Sequence, residues 1–522
     1  MAEKVNRVQS GKVSWVVPNM GVVHGVPSHT LPPNALHTAL NVCIRDGLLV
    51  PRPGMTLFAS TVLVGRPTGS IGSNVLGSGA FQDDAFQEDA FQVDSSIPAT
   101  LSVVGTTKRL YVFYNGMYND ITGSLPSGSD LGGSADNPSR FTGLPIGSPP
   151  QISIVHSNGI DTPRVWALGD PSFVTMPDAP LWKDLTTISD RIIGLVGPYE
   201  IRWGEFLDLD NFPVENSRTL ADTTDATVAI TNFGTTGGAV YKSNSIWNVV
   251  VTDDPVSSRF FRFDFKIQVE GPASAPALVN AQKAHYYMTR NGRVGRWDGY
   301  AHEWVADGAW PLIRADLDTN FAGRIHGAYE PTHDEIIFYY PRVGDNGECK
   351  GIHTVTLPRP MNNLTDHIGF PGMSSHPIST ATSLVLDLKK ILVFTSDVAT
   401  VGAKSYLLEG QNDDQERFTG HWQPGLAMVE GPNPARIGAG EAFFERGPGY
   451  GTVTIKAVVS DMLDTEHGTI KQDGQTIDLS AVKIFDLQSA DARGRFIGAR
   501  FEFRTPVTIK YKGLDMRTVD RG

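Results

Sequence analysis

Cysteine is almost missing: the 522 residues hold only Cys43 and Cys349. Two thiols cannot staple a chain of this length, and nothing in the sequence pairs them. The fold is therefore expected to form without disulfides, in a reducing compartment or indifferent to redox. Charge is scarce as well, 19% of residues against roughly a quarter in an average domain. What charge there is leans acidic, 44 Lys and Arg against 56 Asp and Glu, a net of −12. This argues against a surface given over to gripping nucleic acid, which needs a basic footprint, but not against contact with DNA that slides past. No stretch approaches the ~18 apolar residues of a membrane-spanning helix. The opening MAEKVNRVQSGKVSWVVPNMG has no continuous apolar core and does not read as a signal peptide.

Catalytic signatures are missing too. The chain has no phosphate-binding loop of the G-x-x-x-x-G-K-[ST] type, no G-x-S-x-G elbow, no H-E-x-x-H and no C-x-x-C. GPGYGT (447–452) has no strand-to-helix context and reads as a turn. Asp316, Asp318 and Asn320 stand at the first three calcium-ligand spacings, but Phe321 replaces the required Gly and Gly327 the closing Glu. A solvated turn or strand end is the expectation there, and likewise at Asp208–Asn211. The thirteen histidines are scattered and suggest no metal or catalytic centre. No cofactor and no enzymatic activity are expected, although two glycosidase carboxylates could hide among many acids.

What is present in excess is turn chemistry and strand chemistry. The 54 glycines and 34 prolines exceed the usual joint share of roughly 12%. Asn115-Gly116 divides RLYVFYNGMYNDIT, Asp46-Gly47 divides VCIRDGLLVPRPG, and Asn291-Gly292 and Asp298-Gly299 punctuate YYMTRNGRVGRWDG. Such pairs between β-branched and aromatic runs are hairpin signals, because both turn positions need φ > 0. FFRFDFKIQV alternates, with Phe261, Phe263, Phe265 and Ile267 on one strand face. Similar runs continue to VTIKYKG (507–513). The best helical candidate, APALVNAQKAHYY (275–287), reads equally well as loop plus strand. Trp166, Trp182, Trp203, Trp247, Trp297, Trp304 and Trp310 lie in or beside strand runs and are expected mainly in the core.

The fold class is all-β: about two dozen short strands with turns every ~8–12 residues, which fits a propeller or stacked sandwiches. At ~40–50 residues per blade, residues 102–430 would supply about seven blades. The expected organisation is a β-propeller with long loops and an additional C-terminal β-domain. An N-terminal arm and first hairpin span 1–60, an extended loop 61–100, the propeller 101–430, and a β-domain or ring-closing strands 431–522. The Gly/Ser/Pro-rich stretches 64–100 and 123–150 read as long loops.

Several phrases, taken in order, resemble bacteriophage tail-nozzle and packaged-DNA-stabilisation proteins. LNVCIRDGLLVPRPG, with Asn41, Gly47, Arg52, Pro53 and Gly54, resembles their opening. SDRIIGLVGPYEIRWGEFLDLDNF (189–212), EGPASAP, YYMTRNGRVGRWDG and YEPTHDEIIFYYP (329–341) are similar to their later segments. The resemblance implies a β-propeller with an added β-domain and a non-enzymatic virion subunit. It also implies a homo-oligomeric ring, a hexamer, beside adaptor or portal-side tail proteins and tail fibres or a needle, through which double-stranded DNA passes. Rival readings are a receptor-binding or decoration protein, or a propeller glycoside hydrolase or lectin.

Rings of this kind need arms that reach a neighbour. GAFQDDAFQEDAFQVD (79–94) repeats Ala-Phe-Gln-x-Asp, spacing Phe81, Phe86 and Phe91 five residues apart. On a strand that step alternates faces, and on a helix it turns ~140° net, so neither gives one apolar face. The reading is an extended assembly arm, with Phe81, Phe86 and Phe91 as anchors and Asp84, Asp89 and Asp94 keeping it soluble. A disordered tether is the plainer alternative. Arg493 and Arg495, in ARGRFIGARFEFR, are a second candidate interface on an exposed strand face.

Overall fold

A computed structural model describes residues 7–8 and 12–519, apart from 74–99, 126–128, 147–150, 235, 253, 255, 282, 359–363, 365, 386–388, 397–401, 430–434, 445–450, 461–468, 479–483, 487–492 and 495. Its dominant feature is a run of four-stranded antiparallel sheets. Five follow one another along the chain, and their first strands are Pro67–Gly72, Arg140–Ile146, Asp184–Ile188, Thr227–Phe233 and Leu278–Ala281. A sixth begins at His326–Glu330. The first strand of each sheet packs against the first strand of the next, so these strands form the inner wall of a β-propeller.

The sixth and seventh blades share one strand. Ile368–Val385 pairs through its first third with Cys349–Thr356, as the outer strand of blade 6, and through Ile378–Val385 with Lys389–Thr395, as the inner strand of blade 7. Ala403–Gly410 follows, and the fourth strand of blade 7 is the N-terminal Gly54–Leu63, paired from Gly410↔Gly54 to Ala403↔Leu63. Seven blades thus close into a ring by joining the first and last segments, which leaves no open seam between them. The ring therefore begins at residue 54, not 101, and the C-terminal stretch after 430 does not close it.

That stretch has another partner. Two seven-stranded sheets combine N-terminal and C-terminal strands. In one, Thr419–Pro424 lies between Leu36–Leu40 and Phe496–Arg504. In the other, Tyr511–Val519 pairs with Lys12–Val16, with Ala435–Phe444 and, at Tyr511↔Leu49, with Leu48–Pro51. The two sheets enclose one core holding Trp15, Leu36, Trp422, Phe501, Tyr511 and Met516, with the Trp422 and Phe501 rings stacked at 4.7 Å. This is a β-sandwich with the propeller inserted between its halves. From residue 12 onward the N-terminal segment is a structural half of that sandwich rather than an arm.

The turn readings hold at both positions of Asn115-Gly116 and Asp46-Gly47, and only at the glycines of Asn291-Gly292 and Asp298-Gly299. Asn115 and Gly116, and Asp46 and Gly47, all have positive φ, as do Gly292 and Gly299. Residues 275–287 form a short 3-10 turn and two strands. The loops expected at 64–100 and 123–150 each contain an inner strand. Pro67–Gly72 is poor in β-formers because neighbouring blades approach it closely. A Cβ on Gly69 would sit 1.7 Å from the Ser139 carbonyl oxygen, and one on Gly72 would sit 2.2 Å from that of Ser383. The helix Trp310–Asp316 is an element the sequence reading lacks. Trp166, Trp182, Trp203, Trp247 and Trp297 are buried, and both cysteines are buried and free.

Candidate functional site

The residues of the proposed arm, Phe81, Asp84, Phe86, Asp89, Phe91 and Asp94, lie outside the described residues, as does Arg495. Arg493 is described through its backbone, which pairs with Arg436. The acidic turns have structural duties. Asp316 accepts from Arg342 Nε at 2.6 Å and from the Tyr340 hydroxyl at 3.0 Å, and Asp318 caps the 3-10 turn after it. Among the described residues no group of three or more His, Cys, Asp or Glu is placed to hold a metal.

Two other constellations emerge. The first is the hinge point where the chain leaves the sandwich for the propeller and returns. Arg52 lies on the outgoing segment and Asp413 on the incoming one. The guanidinium donates from Nη1 and Nη2 to the two Asp413 carboxylate oxygens at 2.9 and 2.6 Å, from Nε to Asn41 Oδ1 at 3.0 Å and from Nη2 to the Met373 carbonyl at 2.7 Å. It also lies 4.0 Å from the Phe418 ring centroid. Asn41, at φ 57°, accepts from the Met373 N–H at 2.7 Å and donates to the Thr419 carbonyl at 2.7 Å. Gly54 is required there, since a Cβ would meet the Asn412 carbonyl oxygen at 2.2 Å. A second bridge joins the same two bodies: Arg45 of the sandwich forks onto the buried Glu335 of blade 6 at 3.1 and 2.6 Å. Such bidentate pairs fix orientation as well as distance.

The second constellation lies on the ring axis. Arg66-Pro67, Pro138, Pro276 and Arg324 each stand at or just before an inner strand, and Ser379 stands near the start of the blade 7 inner strand. Inner strands run the same way around a propeller, so these positions converge on one mouth. Together with His326, Thr68, Ala135 and Gly323 they line a shallow hollow, open to solvent, with room for about one water molecule. Arg66 is held by Nη1 on Glu348 at 2.6 Å, and Arg324 by Nη1 on the Gly347 carbonyl at 2.9 Å and by packing on Phe321. His326 stacks on Tyr339 at 5.2 Å, and its Nδ1 lies 3.1 Å from the Arg324 carbonyl. Burial, with Arg66 nearby, pushes its pKa down to about 4. The ring is therefore neutral, Nδ1–H is the donor to that carbonyl, and Nε2 is an acceptor with no protein partner.

Sequence reading missed this mouth. Its residues are separated by up to some 300 positions and meet only because the ring closes. The local signal was Pro or Arg immediately ahead of an inner strand.

Elsewhere, polar side chains join neighbouring blades. Asp184 accepts from Arg140 Nε of blade 2 at 2.6 Å and from the Ile230 N–H of blade 4 at 2.8 Å. His285 bridges the Tyr241 hydroxyl at 2.9 Å and the Asn232 carbonyl at 2.8 Å. No described helix is long and apolar enough to cross a membrane.

No family model matches the chain, and no curated protein matches it. Solved structures similar to it include the computationally designed Ika8 protein, at 10% identity and TM-score 0.36, covering 68% of this chain and 100% of that one. Another is a chain of a mitotic checkpoint complex, at 11% identity and TM-score 0.38, covering 60% of this chain and 87% of that one. The chain is an all-β protein whose sheet order is that of a seven-bladed propeller inserted in a β-sandwich.

Proposed function

We propose that the protein is a non-enzymatic structural subunit of a tailed-bacteriophage virion, made in the host cytoplasm. Copies form a ring at the tail or the head-to-tail vertex, continue the DNA channel and retain the packaged genome until ejection. The observation that carries this reading is the ordered set of phrases between residues 40 and 341 that resembles nozzle proteins. Of the residues named in its first phrase, Asn41, Arg52, Pro53 and Gly54 belong to the clamp between propeller and sandwich, and Gly47 does not. A subunit transmitting force between two bodies in a ring needs such a rigid joint. The net charge of −12 suits a channel that phosphates traverse without being held. The neighbours would be further copies of the chain, in a hexamer by the same resemblance, with adaptor or portal-side proteins above and fibres or a needle below.

Electron microscopy of the purified protein and of the virion tests this. Symmetric rings with a lumen wide enough for duplex DNA, and density for this fold on the tail axis, are expected. A protein that stays monomeric at high concentration and is found off the tail axis contradicts the reading.

A further inference from the structure

Blade 4 ends in an outer strand unlike those of its neighbours. Phe261–Gln268 has eight residues, whereas the outer strands of blades 1, 2, 3 and 5 are Met117–Asp120, Val174–Thr175, Ser217–Thr219 and His302–Val305, none longer than four. A short outer strand offers little unpaired backbone for a foreign strand to join, and this one offers a full row. Among the described residues it pairs on one side only, with Ser245–Val251. The pairing is regular from Val251↔Phe261 to Trp247↔Phe265, and an extra residue, Lys266, then shifts the register. Within the regular part, Phe261 and Phe263 lie against Trp203 of blade 3, at ring distances of 5.5 and 6.1 Å, while Phe265 rests on Trp247 and stays 48% exposed. Arg262 and Asp264 alternate onto the opposite face, where the guanidinium donates to the carboxylate from Nε and Nη2 at 3.0 and 3.1 Å.

The five residues Phe-Arg-Phe-Asp-Phe (261–265) are their own complement when reversed. We propose that this edge pairs with the same edge of a second copy of the chain, antiparallel and centred on Phe263. In that register Phe263 faces the second copy's Phe263, Phe261 and Phe265 face each other twice, and Arg262 and Asp264 face each other twice. The charge pattern selects the alignment, because opposite charges directly across a ladder stabilise it and like charges destabilise it. Centring the pair on Arg262 or on Asp264 sets like charges against each other, as does a parallel alignment in register, and a centre at Phe265 runs into the shifted Lys266. Backbone hydrogen bonds of strand addition supply the affinity, and the contact is isologous, each copy giving and receiving the same surface. It is therefore separate from the head-to-tail interfaces of the proposed ring. A protein that forms no rings would retain it as a dimer, a ring-former would show it as paired rings, and either contact can fail without the other.

The test is sedimentation velocity of the full-length protein over a concentration series reaching about 100 µM. The unaltered protein should double its mass as concentration rises, with Kd about 100 µM or tighter. Arg262→Asp makes the edge all acidic and Asp264→Arg makes it all basic, so each variant alone should double at least roughly tenfold more weakly. Mixed one to one, the two variants should recover the doubling as mixed pairs, because an acidic edge then faces a basic one. The double variant Arg262→Asp, Asp264→Arg, which exchanges the charges, should pair with itself again. Neither side chain is buried, and thermal melts confirm that each variant folds. Absence of doubling in the unaltered protein, doubling that neither single substitution weakens, or a mixture that stays as weak as its components overturns the proposal.

Discussion

Replacing Asp413 by Ala is the sharpest test of how the two bodies are joined. Its carboxylate is fully buried, and the Arg52 side chain it faces is 5% exposed. Removing it strands a guanidinium that water cannot reach and leaves the Ser375 N–H, which donates to Oδ2 at 2.8 Å, without an acceptor. Breaking a buried ion pair from one side costs about 3–5 kcal/mol, and an orphaned buried amide about 1–3 kcal/mol. The two penalties overlap because Arg52 keeps Asn41, Pro53 and Met373 as partners, so a loss of about 4 kcal/mol is expected. Asp413→Asn retains the shape and one acceptor and should cost roughly half as much. The assay is urea unfolding followed by tryptophan fluorescence, with limited proteolysis at the 411–418 segment as a second readout. Pairing with Arg52→Met closes the cycle: the double variant should lose clearly less than the sum of the singles, because each single leaves the other partner unmatched. A loss under about 1 kcal/mol in Asp413→Ala, or strict additivity, refutes the view that this pair is the joint.

Three further outcomes follow from the packing and the charges. His156 and His285 are held by burial at a pKa of about 3, and His326 and His353 at about 4, below the unfolded value. Above pH 6.5 neither folded nor unfolded protein protonates them. Between pH 6.5 and 4 only the unfolded chain does, so stability falls as pH falls, by about 2 kcal/mol per histidine at pH 5. Urea midpoints at pH 7.5 and 5.0 should differ accordingly, and His353→Phe, removing a ring with neither nitrogen bonded, should shrink the difference. Gly69→Ala forces a methyl group into the Ser139 backbone and should cost about 1–3 kcal/mol by thermal melt. Substituting Phe81, Phe86 and Phe91 together by Ser should leave the circular-dichroism spectrum and melt unchanged while weakening assembly in analytical ultracentrifugation; unaltered assembly removes the arm from the account.

The elements that were legible in the sequence are those whose cause is local. Asn115-Gly116 and Asp46-Gly47 specify their turns through two adjacent φ values, and five of the seven tryptophans expected in the core are buried, Trp304 and Trp310 being half-buried. What escaped has a distant cause. Pro67–Gly72 looks like a loop because its glycines answer to Ser139 and Ser383 on other blades. The sandwich is invisible because Lys12–Val16 pairs with Tyr511–Val519, at opposite ends of the chain. The axial mouth escaped for the same reason: His326 reads as one scattered histidine until Arg66 is brought to it.

Placing the propeller between the halves of the sandwich also sets an order of events at the ribosome. The strands Lys12–Val16 and Leu36–Leu40 emerge first, yet their partners Tyr511–Val519 and Thr419–Pro424 lie on the far side of the inserted ring. Gly54–Leu63 likewise waits for Ala403–Gly410 before the seventh blade exists. With roughly 350 residues to be made in between, at about 5–20 residues per second, the wait is on the order of tens of seconds. Throughout it, apolar side chains such as Trp15 and Leu36 have no sheet to enter, and chaperone demand should peak before the last hundred or so residues are translated. Truncations that end between residues 411 and 418 should therefore aggregate even though all seven blades are complete, because the sandwich strands still lack their partners.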